Sequence, residues 1–390
     1  MTTLTGRIAM ERPAGATHSR GIVTEQLFDP WVIFVVGALM TIGVVMVYSA
    51  SVTLAGASFS LEALWDSPLK QSIFALVGFF AMLFAAHLDY RIFAMTRSSK
   101  AWVIGAILLF AVSLTCMGLL IPDANTTRLA SQRALTIRAG GFSISFQPAE
   151  FAKLALVICV SAVLTRPGAL GGGRAPGSPG ALQFWQGFAP AVAIGGILVG
   201  LTGIADFGTA ALMGVVFFSL LIVGRARWSQ LGLVILAGCA AAAVLVIIEP
   251  YRVKRLLTFA GKESDPLGSA YQVTQSLIAI GSGGWWGRGL GAGVQKYGYL
   301  PQDNNDFIMA IICEELGFVG GAVVVFLFLA MLMRGWLISS RAGDEFGRLM
   351  AIGVTLTICV QAAFNIGVVT QSLPTKGISL PFVSAGGSGV

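Results

Sequence analysis

Long apolar runs separated by short polar stretches set the pattern of this chain. A helix needs about 20 apolar residues to cross a bilayer. Nine runs have that character: 31–52, 71–88, 101–121, 148–164, 187–204, 206–224, 228–248, 306–333 and 348–370. The hydrocarbon core offers no water to an open backbone, so each run predicts a helix. A tenth run begins near Gly377 but stops at Val390, too early to cross. The pattern predicts an all-α polytopic membrane protein with nine complete transmembrane helices and a tenth cut short. Residues 1–29 are polar, which predicts a tail with no cleavable signal peptide. No internal repeat is evident.

The polar interruptions differ in kind. Residues 165–186 are rich in Gly and Pro (Pro167, Gly171, Pro176, Pro179) and read as a flexible linker. Residues 249–305 are too many for a structureless loop in a compact protein. Within them, Gly268–Ile280 places apolar side chains at Tyr271, Val273, Leu277, Ile278 and Ile280, which predicts a short amphipathic helix at the membrane interface. Gly281–Gly293 follows with seven glycines, Trp285 and Trp286. The glycines permit close backbone approach. The stretch lacks the Gly-Lys-Ser/Thr ending of a phosphate-binding P-loop.

Composition narrows the class. The chain is 56% hydrophobic and 11% charged. Its five cysteines all lie in apolar runs, no Cys-x-x-Cys occurs, and there are two histidines, so neither disulfides nor a zinc site is expected. Alternate loops carry thirteen cations: Arg7, Arg12, Arg20, Arg91, Arg97, Lys100, Arg166, Arg174, Arg225, Arg227, Arg334, Arg341 and Arg348. The positive-inside rule assigns that side, and the N-terminus with it, to the cytoplasm. The opposite side carries Arg128, Arg133 and Arg138 in one long loop and Arg252, Lys254, Arg255, Lys262, Arg288 and Lys296 in residues 249–305. Two readings fit: long loops escape the rule, or the loops form a cationic basin for an anionic lipid head group such as a pyrophosphate. Nucleic acid does not suit an outward-facing loop.

Charges at and inside the runs carry the candidate chemistry, because intramembrane carboxylates are costly. Glu150 and Lys153 are three apart, on one helix face, after Gln147-Pro148. They make either a neutralised structural pair or a site where Lys153 meets substrate phosphate. Asp206 opens its run as Asp206-Phe207-Gly208-Thr209 and suits an N-cap. Asp306 stands at the mouth of the eighth run, as an N-cap or as the reactive carboxylate. Ala310, Cys313 and Gly317 share its face and would make a smooth cavity wall. Glu314 and Glu315 point elsewhere and suit buried pairs or hydrogen bonds.

Together these segments resemble the FtsW/RodA family (the SEDS proteins). The match rests on Phe146-Gln147-Pro148-Ala149-Glu150-Phe151-Ala152-Lys153, Asp206-Phe207-Gly208-Thr209, Tyr251-Arg252-Val253-Lys254-Arg255-Leu256 and Asp265-Pro266-Leu267-Gly268. It continues through Gly281–Gly293, Gln295-Lys296 before Tyr299-Leu300-Pro301, Asn305-Asp306-Phe307-Ile308 and Glu314-Glu315-Leu316-Gly317. Leu373-Pro374-Thr375-Lys376-Gly377 and Leu380-Pro381-Phe382 complete it. It covers residues 30–390, a SEDS transmembrane domain behind the 1–29 tail, and is closer to the division branch (FtsW). The sequence departs from the family pattern in four places. Gln302 replaces a glutamate unless Asp303 substitutes, Asn304 or Asn305 replaces a histidine, the tail ends at Gly389-Val390 short of the tenth helix, and Leu135 occupies a tryptophan position near Arg133.

The resemblance implies a SEDS fold with ten transmembrane helices and a peptidoglycan glycosyltransferase that polymerises lipid II outside the cytoplasmic membrane. Its expected partners are a class B penicillin-binding protein and other divisome proteins at the septum. The resemblance places the family's essential acidic residue on Asp306, its fourth-helix pair on Lys153 and Glu150, and its third-loop arginine on Arg133. From the chemistry required, Asp306 is then expected as the general base, Lys153 and Glu150 in substrate binding, and an outer-loop arginine, Arg133 or Arg288, beside the leaving pyrophosphate. A divalent cation (Mg or Mn) could assist, although no ligand cluster in the sequence demands one. Two rival classes use the same features: a lipid II flippase and a non-catalytic scaffold for the transpeptidase.

Overall fold

A computed structural model gives the fold; it describes residues 29–52, 68–94, 101–120, 135–139, 142–172, 179–261, 269–296 and 306–385. Each of the nine predicted runs is helical: α1 (Pro30–Val52), α2 (Pro68–Ala86), α3 (Ala101–Leu120), α4 (Pro148–Leu164), α5 (Ala189–Ala205), α6 (Phe207–Val223) and α7 (Trp228–Ile248). After two shorter helices, α8 (Pro250–Phe259) and α9 (Ser269–Gly283), come α10 (Ile308–Arg341) and α11 (Glu345–Val369). Among the described residues, five segments are long and apolar enough to cross a membrane: α1, α5 with the turn before it, α7, α10 and α11.

Local chemistry sets the helix ends. Asp29 accepts from Trp31 N at 3.0 Å at the start of α1, and Pro148 occupies the first turn of α4, where its missing N–H costs nothing. Asp206 is the N-cap of α6, as expected: its carboxylate accepts from Gly208 N at 3.0 Å and from the Thr209 hydroxyl at 2.7 Å. Asp344 caps α11 through Gly347 N.

Among the described residues two large apolar cores form beside a small third one (Ile104, Cys159, Ala162, Phe346), and α11 belongs to both large ones. One joins α1 (Leu39, Met46), α10 (Ile311, Ile312, Val324) and the C-terminal half of α11 (Ala362, Val368, Val369). The other joins α4 (Leu156, Val160), α5 (Leu198), α6 (Met213, Leu220) and the N-terminal half of α11 (Leu349, Ile352). Outside them, Leu236, Val244, Ile247 and Ile248 of α7 are exposed. A patch of that size on a helix of spanning length suits acyl chains.

Cations tie elements together at both ends of the bundle. Arg334 pairs with Asp29 at 2.8 Å, Tyr90 donates to Asp344 at 2.6 Å, and Arg348 donates to Val223 O at 3.2 Å, all at one end of the bundle. The hydrogen bond to the Asp344 carboxylate pushes the Tyr90 hydroxyl above its ordinary pKa. At the other end, α8 acts as a strap. Arg252 donates to the last carbonyls of α5 and α7 (Ile204 O and Leu245 O, both 2.9 Å), and Arg255 to Thr375 O at 2.9 Å.

Three expectations need correction. The 165–186 linker is partly structured: β3 (Leu170–Gly172) and β4 (Pro179–Leu182) pair antiparallel, and a π-turn at Phe184–Phe188 leads into α5. An earlier hairpin, β1 (Leu135–Ala139) with β2 (Phe142–Phe146), precedes α4. The eighth run starts at Ile308 rather than Asp306 and continues to Arg341, well past residue 333. At 1.5 Å per residue it is about 51 Å long, more than the hydrocarbon core. The segment from Gly377 to Ala385 is turn and extended chain, not the start of a helix. Leu380 and Val383 bury it against the bundle instead. The helix predicted over Gly268–Ile280 is present as α9, which packs along α10 with Val273, Ser276 and Ala279 buried.

Candidate active site

The glycine-rich stretch has a specific use. α10 breaks at Gly317, whose φ of 73° suits glycine. A break in a membrane helix exposes backbone groups that must find partners. Residues 284–289 provide them. Arg288 N donates to Glu314 O and Gly289 N to Glu315 O, both at 3.0 Å; Phe318 N donates to Gly284 O at 2.9 Å and Val319 N to Trp285 O at 3.2 Å. The approach is too close for side chains: a Cβ on Gly287 would lie 2.1 Å from Glu315 O.

This packing also corrects the expected cavity wall. Ala310 is fully buried and Cys313 nearly so, and a Cβ on Gly283 would lie 1.9 Å from Cys313 O. The small residues of α10 admit α9 and the glycine turn, not a cavity.

Glu314 and Glu315 are structural, as expected. Glu314 accepts from Val294 N at 2.8 Å and Gln295 N at 3.3 Å. Glu315 pairs with Lys296 at 2.7 Å, both side chains being 0% exposed. It also accepts from the Ser49 hydroxyl at 2.6 Å and Gly291 N at 3.1 Å. Buried charge survives only when paired and hydrogen-bonded in this way. Lys296, which the sequence presents as one more cation in a basic loop, is therefore an internal strut.

The other charges gather on α11. Glu150 and Lys153 form the predicted i,i+3 pair, Nζ to Oε2 at 2.7 Å, with Lys153 4% exposed. The Lys153 ammonium also donates to Gln361 Oε1 on α11. Gln361 Nε2 donates to Ser379 O at 3.0 Å. One helical turn further on, about 6 Å, Asn365 Nδ2 donates to Ile378 O and to Asp306 O, both at 2.7 Å. A polar seam thus runs from Glu150 through Lys153, Gln361 and Asn365 to the Asp306 peptide. Asp306 itself is half-buried. It is not the helix cap: that residue is Phe307, which makes no side-chain cap bond.

Beside the seam lies a second cationic feature. The chain leaves Ile378 towards Lys376, whose ammonium sits 3.7 Å from the centre of the Phe207 ring. Arg252 approaches the same ring at 5.8 Å. Asp206, Arg255 and Lys376 help line a cavity of about 90 Å³ there. At most about 7 Å of chain separates the Cα atoms of Lys376 and Ile378.

Not every sequence candidate converges. Arg288 sits beside Glu314, 3.9 Å from its carboxylate, and donates to Ser282 O at 3.4 Å. Six residues of α10 rise, about 9 Å, separate that level from the start of α10, and Asp306 lies two residues before it. Arg133 lies outside the described residues, as does the 297–305 segment leading to Asp306. Gln361 and Asn365 escape sequence reasoning, although their i,i+4 spacing in an apolar run is a signal. Among the described residues no group of three or more His, Cys, Asp or Glu side chains could hold a metal ion.

Comparison with known proteins completes the picture. The family model FtsW/RodA/SpoVE, described as cell cycle protein, matches residues 30–390. Stage V sporulation protein E of Bacillus subtilis (strain 168) is 37% identical over 352 residues, covering 90% of this chain and 89% of that protein. The probable peptidoglycan glycosyltransferase FtsW of Geobacter sp. (strain M18) is 34% identical over 365 residues, covering 93% and 92%. Among solved structures, one described as "Structural coordination of polymerization and crosslinking by a peptidoglycan synthase complex" contains a chain that superposes with TM-score 0.66. It is 25% identical, and 93% of each chain is covered. Thermus thermophilus rod shape determining protein RodA shares the fold at TM-score 0.59, with 22% identity over 94% of this chain and 93% of that one.

Proposed function

The chain belongs to the FtsW/RodA/SpoVE family, and on that premise we propose that it is a peptidoglycan glycosyltransferase that polymerises lipid II during cell division. The reaction takes place at the outer face of the cytoplasmic membrane, with the N-terminus inside. The observation that carries the residue assignment is the seam on α11, which ties a carboxylate-bearing peptide to a buried ammonium.

The chemistry follows from those groups. The 4-hydroxyl oxygen of one lipid-linked sugar attacks the anomeric carbon of the donor. A new C–O bond forms as the bond to the pyrophosphate breaks. Asp306 receives the hydroxyl proton as general base. Pyrophosphoryl-undecaprenol departs with the bonding pair, and Lys153 offsets its charge. Glu150 pairs with Lys153 and orients it. Arg133 and Arg288 are secondary candidates for the phosphate, and Arg288 needs to move from its place beside Glu314 to serve. No step is routed through a Mg or Mn ion. The partner in this reading is a class B penicillin-binding protein, which crosslinks the glycan at the septum.

The test is polymerisation by the purified protein with its cognate transpeptidase in detergent, wild type beside Asp306→Asn. Polymer from the wild type and none from the variant is expected. Undiminished polymer from folded Asp306→Asn would remove Asp306 as base. Because detergent leaves no membrane to cross, polymer there separates synthesis from lipid II flipping. A scaffold for the transpeptidase would give no polymer at all.

A further inference from the structure

We propose that Asn365 is a positioning residue for Asp306, and that with Gln361 it fixes the spacing between the base and the Lys153 cation. The inference rests on the reading of Asp306 given above.

Asn365 is 1% exposed in an otherwise apolar stretch of α11. A buried amide is costly unless its bonds are used. Both Nδ2 hydrogens are used, one on Asp306 O and one on Ile378 O, each at 2.7 Å. Those two bonds fix which way the amide faces. Its Oδ1 is buried with no hydrogen-bond partner among the described residues, so an acceptor remains beside the Asp306 peptide.

Gln361 repeats the arrangement one turn earlier, holding Ser379 O with its nitrogen and the Lys153 ammonium with its oxygen. Two amides on one rigid helix thus grip both chemical groups and the 378–379 backbone between them. Asp306 sits two residues before the first helical residue of α10 and follows the long 249–305 excursion. Such a position needs an external hold, and Asn365 provides one from another helix. The reaction requires proton removal and leaving-group neutralisation in one geometry, and misplacement by about 1 Å can cost 100-fold.

The test uses the full-length protein with its transpeptidase, assaying glycan polymerisation by Asn365→Ala, Asn365→Gln and Asp306→Asn. Asn365→Ala is expected to lower kcat about 10- to 100-fold through misplacement of the base. Its KM for lipid II should stay within about twofold, since ground-state binding is untouched. Asn365→Gln retains the donors one carbon further out and is expected to recover part of the loss. An unchanged kcat in folded Asn365→Ala overturns the proposal, as does a rise in KM alone. If both Asn365 variants fail to fold, the residue is structural and the proposal fails too. Asp306→Asn separates the two readings: if it polymerises normally, the base assignment itself is wrong, whatever Asn365 does.

Discussion

Replacing Lys296 by Met probes the strut that precedes the segment leading to Asp306. In the native protein the Lys296 ammonium meets Glu315 at 2.7 Å with both side chains inaccessible. Met keeps the apolar stem and removes the charge, so the Glu315 carboxylate is left with the Ser49 hydroxyl and Gly291 N. Removing one partner of a buried pair costs about 3–5 kcal/mol, because the remaining charge stays buried without compensation. For 390 residues at about 2.1 cal/mol/K each, the unfolding entropy is about 0.8 kcal/mol/K, giving a fall in Tm of about 4–6 °C. Glu315→Gln alone should cost similarly. The double variant Lys296→Met with Glu315→Gln should regain most of the loss, since no unpaired charge remains. Thermal unfolding in detergent, followed by tryptophan fluorescence for all four proteins, closes the cycle. Additive losses, with no coupling between the two sites, would refute the buried-pair account.

Two further outcomes follow from the packing. Gly287→Ala forces a Cβ to within 2.1 Å of Glu315 O at a φ of 77°, so loss of about 1–3 kcal/mol is expected in the same unfolding assay; Gly289→Ala is strained too, at a φ of 99°, but meets open space and so lacks the added clash. Tyr90→Phe removes the 2.6 Å bond to Asp344 at the far end from Asp306. It should cost about 1 kcal/mol at neutral pH while leaving polymerisation unchanged. The raised Tyr90 pKa fixes the sign of the pH effect. The stabilisation is complete below about pH 10, the ordinary tyrosine value, and fades as pH climbs through the raised one. Melting curves of wild type and Tyr90→Phe should therefore converge in strong alkali.

What was legible in the chain follows its physics. Apolar runs locate helices because lipid imposes one backbone solution. Asp206 and the Glu150–Lys153 pair were readable because capping and i,i+3 pairing are local. Glu314 and Glu315 were assigned to structure by their direction on the helix alone. α8 was hidden because Arg252, Lys254 and Arg255 interrupt its apolar residues, and its strap function depends on carbonyls distant in sequence. Lys296 and Arg288 illustrate the same limit: two cations eight residues apart in one basic stretch, of which one is fully buried and the other 42% exposed. Charge counting cannot separate them. The amides of Gln361 and Asn365 gain meaning only once α4, α10 and the 378–379 backbone are seen to meet on α11.

The break at Gly317 also ties the shape of α10 to a stretch of chain outside it. A helix in hydrocarbon cannot open its own hydrogen-bond ladder without a replacement for the groups released. The bend in α10 and the docking of residues 284–289 therefore stand or fall together. A substitution in the glycine turn is in effect a substitution in the shape of α10, although it lies on a different stretch of chain.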